Sequence, residues 1–446
     1  MRKSASARQV NTVKNISKII FFIFYDLLFI LLFLLYLPVY LKRGKITAAA
    51  LKEKLGLLPL RLEESIWIQV VSVGEVNLVG TLIHRLREKY SLPIVVSTTT
   101  LTGNMLAKKK FESTAHVIFF PFDLFFVLRT VIRRLNPKIF IAVETEIWPH
   151  VFSVLHERGI PSVIVNGRIS RKAFQQYRII KPCISRVLRT CSAVGVQNEL
   201  YRQRFLQIGC PPEKTAVSGN MKFESIGVNE ARRKDFLSRY TPCLKPHGEF
   251  LLVAGSTHAP EEELLVRIYQ DIIKSEAGVG LCVAPRHIER VPELEKKIAA
   301  LGFPTVRMSR ITEPPEERCV FLLDTIGQLR YLYSLADACF VGGSMGAHGG
   351  QNILEPLYFS KPTCFGYSME NFQDVKERVL EKGAGIQVAN TEELRKVLLQ
   401  FVRDTALREN LRAKCRVVFE EEKKSLTHNM EIIQRHLDPV IGKNEI

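Results

Sequence analysis

The sequence predicts an α/β chain: two doubly wound domains, each a parallel sheet covered by helices, behind an apolar N-terminal segment. Three observations lead there. Short apolar runs rich in β-branched residues alternate with amphipathic ones, the pattern of a parallel sheet with helical crossovers. The series runs to about residue 196 and restarts near residue 249. Ahead of both stands one long apolar run, Ile19–Leu41.

That run reads IIFFIFYDLLFILLFLLYLPVYL and holds one acid, Asp26, and one proline, Pro38. A bilayer-spanning helix needs about 20 apolar residues, so the length suffices. No A-x-A-like site closes it, which argues against a cleaved signal peptide. Arg8, Lys14 and Lys18 precede it and Lys42, Arg43 and Lys45 follow, so charge bias gives no orientation. Residues 1–45 are expected to form a membrane anchor that either spans the bilayer or lies in its cytoplasmic face. Asp26 is costly in lipid unless it reaches the interface or a partner.

The first domain, residues 46–240, has predicted strands at Trp67–Val73, Pro93–Ser97, His116–Phe120, Lys138–Val143, Ser162–Val165 and Ala193–Val196. YTPCLKPH, Tyr240–His247, carries two prolines and reads as a linker. The second domain, 241–446, has predicted strands at Glu249–Ala254, Gly280–Val283, Val320–Leu323, Ala338–Val341 and Pro362–Phe365, then charged helices from about Asn390.

Composition narrows the partners. Lys and Arg number 63 against 45 Asp and Glu, a net charge of +18 that favours polyanions. No helix-turn-helix, zinc finger or RNA-binding aromatic motif is present, so no nucleic-acid partner is expected. The nine cysteines form no C-x-x-C pair, and several sit in apolar runs, as free thiols in a reducing compartment do. The histidines lack metal-ligand spacing, and no metal is expected.

Sheets of this kind hold ligands at the carboxyl ends of their strands. The first such loop, VSVGEVN, carries Glu75, which is either a general base or an acid complementing a helix N-terminus. STTTLTGN suits a polar ligand or ordinary capping. AVETEIWPH puts Glu144 and Glu146 at the end of a buried strand, where acids are costly unless paired, solvated or functional. Glu144 is read as functional and Glu146 stays open. Asn166 and Arg168 lie in NGRIS, and Lys222 in GNMKFE is either solvated or the partner of an acidic ligand. In the second domain, AGSTHAPEEE suits a helix start that can also hold phosphate. VAPRHIER offers Arg286 as a phosphate or carboxylate ligand, or a surface Arg. FVGGSMGAHGGQNILEP packs five glycines into Gly342–Asn352, so that backbone amides can approach a phosphate; Glu355 could accept from a ribose diol. The run lacks G-K-[ST] and is not G-x-G-x-x-G after a first strand, so P-loop and dehydrogenase folds are disfavoured.

The two tandem domains resemble the GT-B architecture of glycosyltransferases. The ordered strings VSVGE, STTTLTGN, ETEIWP, NGRIS, GNMKF, GSTHAPEEE, APRHIER, IGQL, FVGGS and GGQNILEP resemble those of bacterial Kdo transferases, which move 3-deoxy-D-manno-octulosonic acid (Kdo). The resemblance implies inverting, metal-independent transfer from CMP-Kdo, a substrate and not a cofactor, to a lipid A precursor at the bacterial inner membrane. The catalytic domains would face the cytoplasm, and anionic lipids would be partners. It implies Glu75 as proton acceptor, with Glu144 and Lys222 supporting the transition state. It implies a CMP site of Pro285 and Arg286, of Ile326, Gly327 and Gln328, and of Asn352, Ile353, Leu354 and Glu355. The family pattern more often has an acid where Gln328 stands and His where Gln351 stands. The alternatives are another GT-B enzyme using a UDP-sugar, or a non-catalytic sugar-nucleotide-binding module.

Overall fold

The computed structural model describes residues 22–35, 47–224 and 226–442. The chain divides into two compact units. Unit 1 is Met1–Ser225 together with Lys424–Ile446, and unit 2 is Ile226–Lys423.

Unit 1 is built on seven parallel strands: β1 Ser65–Val70, β2 Ile94–Thr98, β3 His116–Phe119, β4 Pro137–Val143, β5 Ser162–Gly167, β6 Ala193–Val196 and β7 Thr215–Val217. Their order is β3-β2-β1-β4-β5-β6-β7. Every residue of β1 is buried, yet the strand period of two still operates. Trp67 joins Phe140 and Phe152 in one core, while Ile66, Ile68 and Val70 join Val79 and Leu82 in the other. A strand buried on both faces is largely apolar, which is why these segments were legible as near-continuous runs, with Ser65 and Gln69 the polar members of β1.

Unit 2 repeats the plan with β8 Phe250–Thr257, β9 Val279–Pro285, β10 Thr305–Arg307, β11 Val320–Leu322, β12 Ala338–Val341, β13 Thr363–Phe365 and β14 Ile386–Gln387. The order is β10-β11-β9-β8-β12-β13-β14, again all parallel. In each sheet the winding direction reverses once, at β1/β4 in unit 1 and at β8/β12 in unit 2. Outside the carboxyl ends of such a strand pair a crevice opens, because the two connections leave in opposite directions.

Four sequence expectations differ from the structure. Strands β7, β10 and β14 were not anticipated: they have two or three residues, and β10 and β14 are half-buried. Tyr240–His247 is not a linker. Its first half finishes the helix Glu230–Leu244, which tolerates Pro242 inside it while Tyr240, Cys243 and Leu244 are buried. The boundary therefore lies near residue 225 and not at 240/241. The last helix, Ser425–Leu437, belongs to unit 1, where Leu426, Met430 and Ile433 complete the core over β4, β5 and β6.

Of the expected anchor, residues 22–35 form a helix, and the rest of Ile19–Leu41 lies outside the described residues. Among the described residues no helix is long and apolar enough to cross a membrane. The helix docks on unit 1 through one face. Phe22 stacks on the ring of His150, and Phe29 and Phe33 meet Phe122. Asp26 Oδ1 lies 2.8 Å from His150 Nε2, a close approach that is not aligned as a hydrogen bond. The Tyr25 hydroxyl donates to Asp123, whose carboxylate also accepts the His150 and Val151 amides at the start of helix Pro149–Glu157.

Candidate active site

In unit 1, β1 and β4 run side by side, Gln69 in register with Ala142. The chain leaves β1 through Val71 and enters the helix Val73–Lys89 with Ser72 as its cap. Glu75 is the third helical residue and its carboxyl reaches back over the helix start, while the Ser72 side chain makes no cap hydrogen bond. The Val71 amide donates to Glu75 Oε2 at 2.7 Å and the Ser72 hydroxyl to Oε1 at 3.1 Å. Glu75 thus sits in a first helical turn and is buried. That burial pushes its carboxyl up to about 8; the charges of Glu144 and Glu146 act in the same direction, against the Val71 and Ser72 hydrogen bonds.

Glu144 follows β4 directly, with φ 61. A non-glycine residue in left-handed backbone is uncommon, and such residues gather at functional sites. Its Oε2 meets Arg168 Nε at 2.8 Å and its Oε1 meets Lys222 Nζ at 3.6 Å. Asn166, also left-handed at φ 53, accepts the Met221 amide at 3.0 Å and so ties the turn bearing Lys222 to the end of β5. Glu146 accepts from Trp148 Nε1 at 2.7 Å and Gln69 Nε2 at 3.4 Å. Burial pushes it up to about 7 despite these two donors. Sequence reasoning placed Glu75, Glu144 and Lys222 in one site, and the fold brings them together with Arg168 and Glu146. The result is a carboxyl group that exchanges its proton near neutrality beside a carboxylate held between two cations. Environments that differ this much are how two acids take on different roles.

In unit 2 the glycine run after β12 is an ordered structure. Gly342 admits no side chain: a Cβ there would lie 2.5 Å from Thr257 Cα. Gly343, Gly349 and Gly350 all have positive φ. The carboxylate of Glu261 accepts from the amides of Gly343, Ser344 and Met345 and from the His258 amide, at 2.7–2.9 Å. The Gly349 amide goes to Ser368 and the Gly350 amide to Gly343 O. The expectation that this loop presents its amides to a phosphate is corrected here. Most of the glycine amides are engaged internally, and the anion bound by the Gly343, Ser344 and Met345 amides is the protein's own Glu261. On sequence this residue looked like one of three acids opening a helix.

Around this frame lie the residues expected at the nucleotide. Arg286 follows β9; its amide donates to Thr257 O and its side chain is exposed. Ile326 is exposed beside Gly327 (φ 85), and Gln328 Oε1 is buried with no hydrogen-bond donor. Asn352 Oδ1 accepts the Leu354 amide. Ile353 and Leu354 are buried apolar residues, so their side chains hold the loop in the core while Asn352 and Glu355 offer the polar atoms. Burial raises the Glu355 carboxyl, opposed by Arg330 and Asn352. Pro285 ends β9, and the rest of the set follows β9, β11 and β12 in their connections, Leu354 and Glu355 opening the short helix Leu354–Tyr358.

Sequence reasoning missed a group of three histidines here. His258 stacks on His348 at 4.1 Å and meets His287 edge-on at 5.6 Å, and the Gln351 amide lies 3.4 Å from the His258 ring nitrogen. Burial, then His348 and His287, push His258 down to about 4. Only S-T-H after a strand and a His inside the glycine run hinted at it. Among the described residues no group of His, Cys, Asp and Glu is arranged to hold a metal ion.

Comparison with known proteins shows which family the chain resembles. A family model described as 3-deoxy-D-manno-octulosonic-acid transferase (kdotransferase) matches residues 49–225. The chain is 30% identical over 378 residues to a 3-deoxy-D-manno-octulosonic acid transferase of Haemophilus influenzae, covering 84% of this chain and 88% of that protein. It is 33% identical over 347 residues to a bifunctional glycosyltransferase/methyltransferase of Fusobacterium nucleatum, covering 76% of this chain but only about half, 53%, of that longer protein. Among solved structures, a UDP-GlcNAc 2-epimerase from Neisseria meningitidis bound to UDP-GlcNAc aligns over 84% of this chain and 100% of its own, with a TM-score of 0.56. At 14% identity that likeness shows a shared fold alone.

Proposed function

This chain belongs to the 3-deoxy-D-manno-octulosonic acid transferase family, and on that premise we propose that it transfers Kdo from CMP-Kdo to a lipid A precursor with inversion at the anomeric carbon. The observation that carries the proposal is the unit 1 cluster: Glu75 poised to exchange a proton, beside Glu144 held by Arg168 and Lys222.

In this mechanism Glu75 takes the proton of an acceptor hydroxyl. The hydroxyl oxygen attacks the anomeric carbon of Kdo, and the bond from that carbon to the phosphate oxygen breaks with its electron pair leaving on CMP. Fixed charges aimed at developing charge need no reorganisation during the step, which is why an ion-paired Lys222 is useful there. Lys222 is held by Glu144 and faces the Kdo carboxylate or the leaving phosphate. Arg286 binds the phosphate as a charge-assisted donor. Gln328, with its buried amide oxygen lacking a donor, takes one from the nucleotide. Asn352 and Glu355 receive the ribose.

The acceptor is a membrane lipid, and the chain opens on an apolar segment, which supports a location at the inner membrane. CMP-sugars are made in the cytosol, so the catalytic units face the cytoplasm. The test is mass spectrometry of the lipid formed from CMP-Kdo and a tetraacylated disaccharide bisphosphate. A product heavier by Kdo, absent with UDP-sugars, supports the reading. Transfer from a UDP-sugar instead, or no transfer with intact CMP binding, overturns it.

A further inference from the structure

Beside the docked N-terminal helix, unit 1 carries a cationic depression that none of the chemistry above uses. It has a volume of about 260 Å³ and is lined by Phe126, Arg129, Thr130, Arg133 and Arg158. Four of these come from the helix Phe125–Leu135 and Arg158 from the end of helix Pro149–Glu157. The positions 126, 129, 130 and 133 are one helical face. Burial lowers the Arg158 guanidinium, and Arg129 and Arg133 add to the effect; no carboxylate is among the groups acting on it. Arg129 and Arg133 thus act on Arg158 with like charge, and a multivalent anion seated among them relieves that repulsion. Guanidinium forks match phosphate oxygens in pairs.

The surroundings say which phosphate. Phe126 is 79% exposed at the rim. Its neighbour Phe125 packs against Phe126, against the His150 ring and under the Arg129 guanidinium. His150 in turn stacks on Phe22 of the docked helix. From Phe22 the contact chain leads directly to a helix whose other face leaves Phe24, Leu27, Leu28, Leu31, Leu34 and Leu35 exposed. Unit 1 therefore carries an outward apolar helix face and a cationic depression, linked through the packed rings of Phe22, buried His150 and Phe125. Water alone is a poor environment for that combination, and contiguous apolar patches of this kind mark contact surfaces. A helix that spends one face on Asp26–His150 and Tyr25–Asp123 contacts presents only its other face outward, as a helix lying in the bilayer interface does.

We propose that Arg129, Arg133 and Arg158 seat the phosphate of an anionic phospholipid while the outward face of helix 22–35 enters the same leaflet, fixing unit 1 on the membrane surface. This deepens the function proposed above, since it rests on the acceptor being a membrane lipid, and it selects the in-plane over the spanning arrangement of the helix.

The experiment is vesicle flotation of the full chain. Wild-type protein is compared on phosphatidylcholine vesicles and on vesicles that also contain phosphatidylglycerol. The variant R129Q/R133Q/R158Q is compared with R267Q/K296Q/K396Q, which removes equal charge from exposed positions of unit 2. Each basic side chain near an anionic surface is worth about fivefold in affinity, so the Arg129 triple is expected to bind phosphatidylglycerol vesicles roughly a hundredfold more weakly. Its binding to phosphatidylcholine stays unchanged, and the unit 2 triple changes little. L27S/L31S is expected to weaken binding to both kinds of vesicle. Equal losses in the two triples, or no loss in the first, overturn the seat. Full competition by soluble inorganic phosphate overturns the lipid source. Thermal midpoints confirm folding, and the single R133Q serves if the triple is unstable. Kdo transfer to a deacylated, water-soluble acceptor separates the two readings. Retained transfer with lost flotation supports the seat, whereas absent wild-type transfer tells against the function while leaving the flotation result intact.

Discussion

Replacing Glu75 by Gln tests the catalytic base and measures what holding it costs the fold. Gln keeps the shape of the side chain, and its amide oxygen still accepts from the Val71 amide, so the helix start keeps that hydrogen bond. The proton acceptor does not, and turnover is expected to fall by about 10²–10⁴. Stability should move the other way. In the folded chain the Glu75 carboxyl stands at about 8 instead of 4.5, because it is buried and flanked by Glu144. Between those values the folded state holds a proton that the unfolded chain has released, so its stabilising contribution is complete below pH 4.5 and is lost as pH rises to about 8. A rise from 4.5 to about 8 corresponds to roughly 5 kcal/mol. Gln carries no such dependence. The thermal midpoint of Glu75→Gln relative to wild type should therefore climb with pH across this window and level off above it. In the wild type, kcat/KM should rise with pH toward the same value, as a base must be deprotonated to act. Two results would refute the reasoning: near-normal turnover in the variant, or a midpoint difference that does not change with pH.

Glu261→Ala should strand the amides of His258, Gly343, Ser344 and Met345 at about 1–3 kcal/mol for each one left buried; calorimetry should show a lowered midpoint and lost CMP binding, and normal CMP affinity would mean the loop does not need its internal anion. Arg286→Ala should weaken CMP by about tenfold or more, the worth of a charge-assisted hydrogen bond of roughly 1.5–3 kcal/mol; unchanged affinity in titration calorimetry removes Arg286 from the site. Asp26→Ala should leave buried His150 without its partner and loosen helix 22–35, so limited proteolysis should cut that helix faster; an unchanged cleavage rate would show that the aromatic contacts hold it alone.

The sequence was informative where one residue type has one physical reason to be present. Strands such as β1 and β4 are buried on both faces and had to be mostly apolar, so they could be read directly. Glu144, an acid closing such a run, was conspicuous for the same reason. Edge strands carry no such constraint, and β10 and β14 have too few residues to show a period. Long-range pairing was invisible. Asn429 accepts the Asn166 amide and the Ser218 hydroxyl from 263 and 211 residues away, and within its own helix it is an ordinary polar residue. Glu261 was ambiguous because an acid at a helix start has a sufficient local explanation. The histidine group was hidden because its members lie on three separate loops and only the winding of the sheet unites them.

The return of the last helix to unit 1 has a consequence for biogenesis. The chain emerges from the ribosome N-terminus first, and domains fold largely in that order. Unit 1 cannot do so. Leu426, Met430, Ile433 and Leu437 share a core with Ile68 and Val165, and Glu224 waits for the Ser425 hydroxyl and the Leu426 amide. Until the final stretch is translated, the half of the molecule made first keeps an apolar groove open on its sheet, while unit 2, contiguous in sequence, has everything it needs to close. Unit 1, begun before unit 2, is thus finished after it, and a chain released after residue 423 has a complete second unit and an incomplete first one.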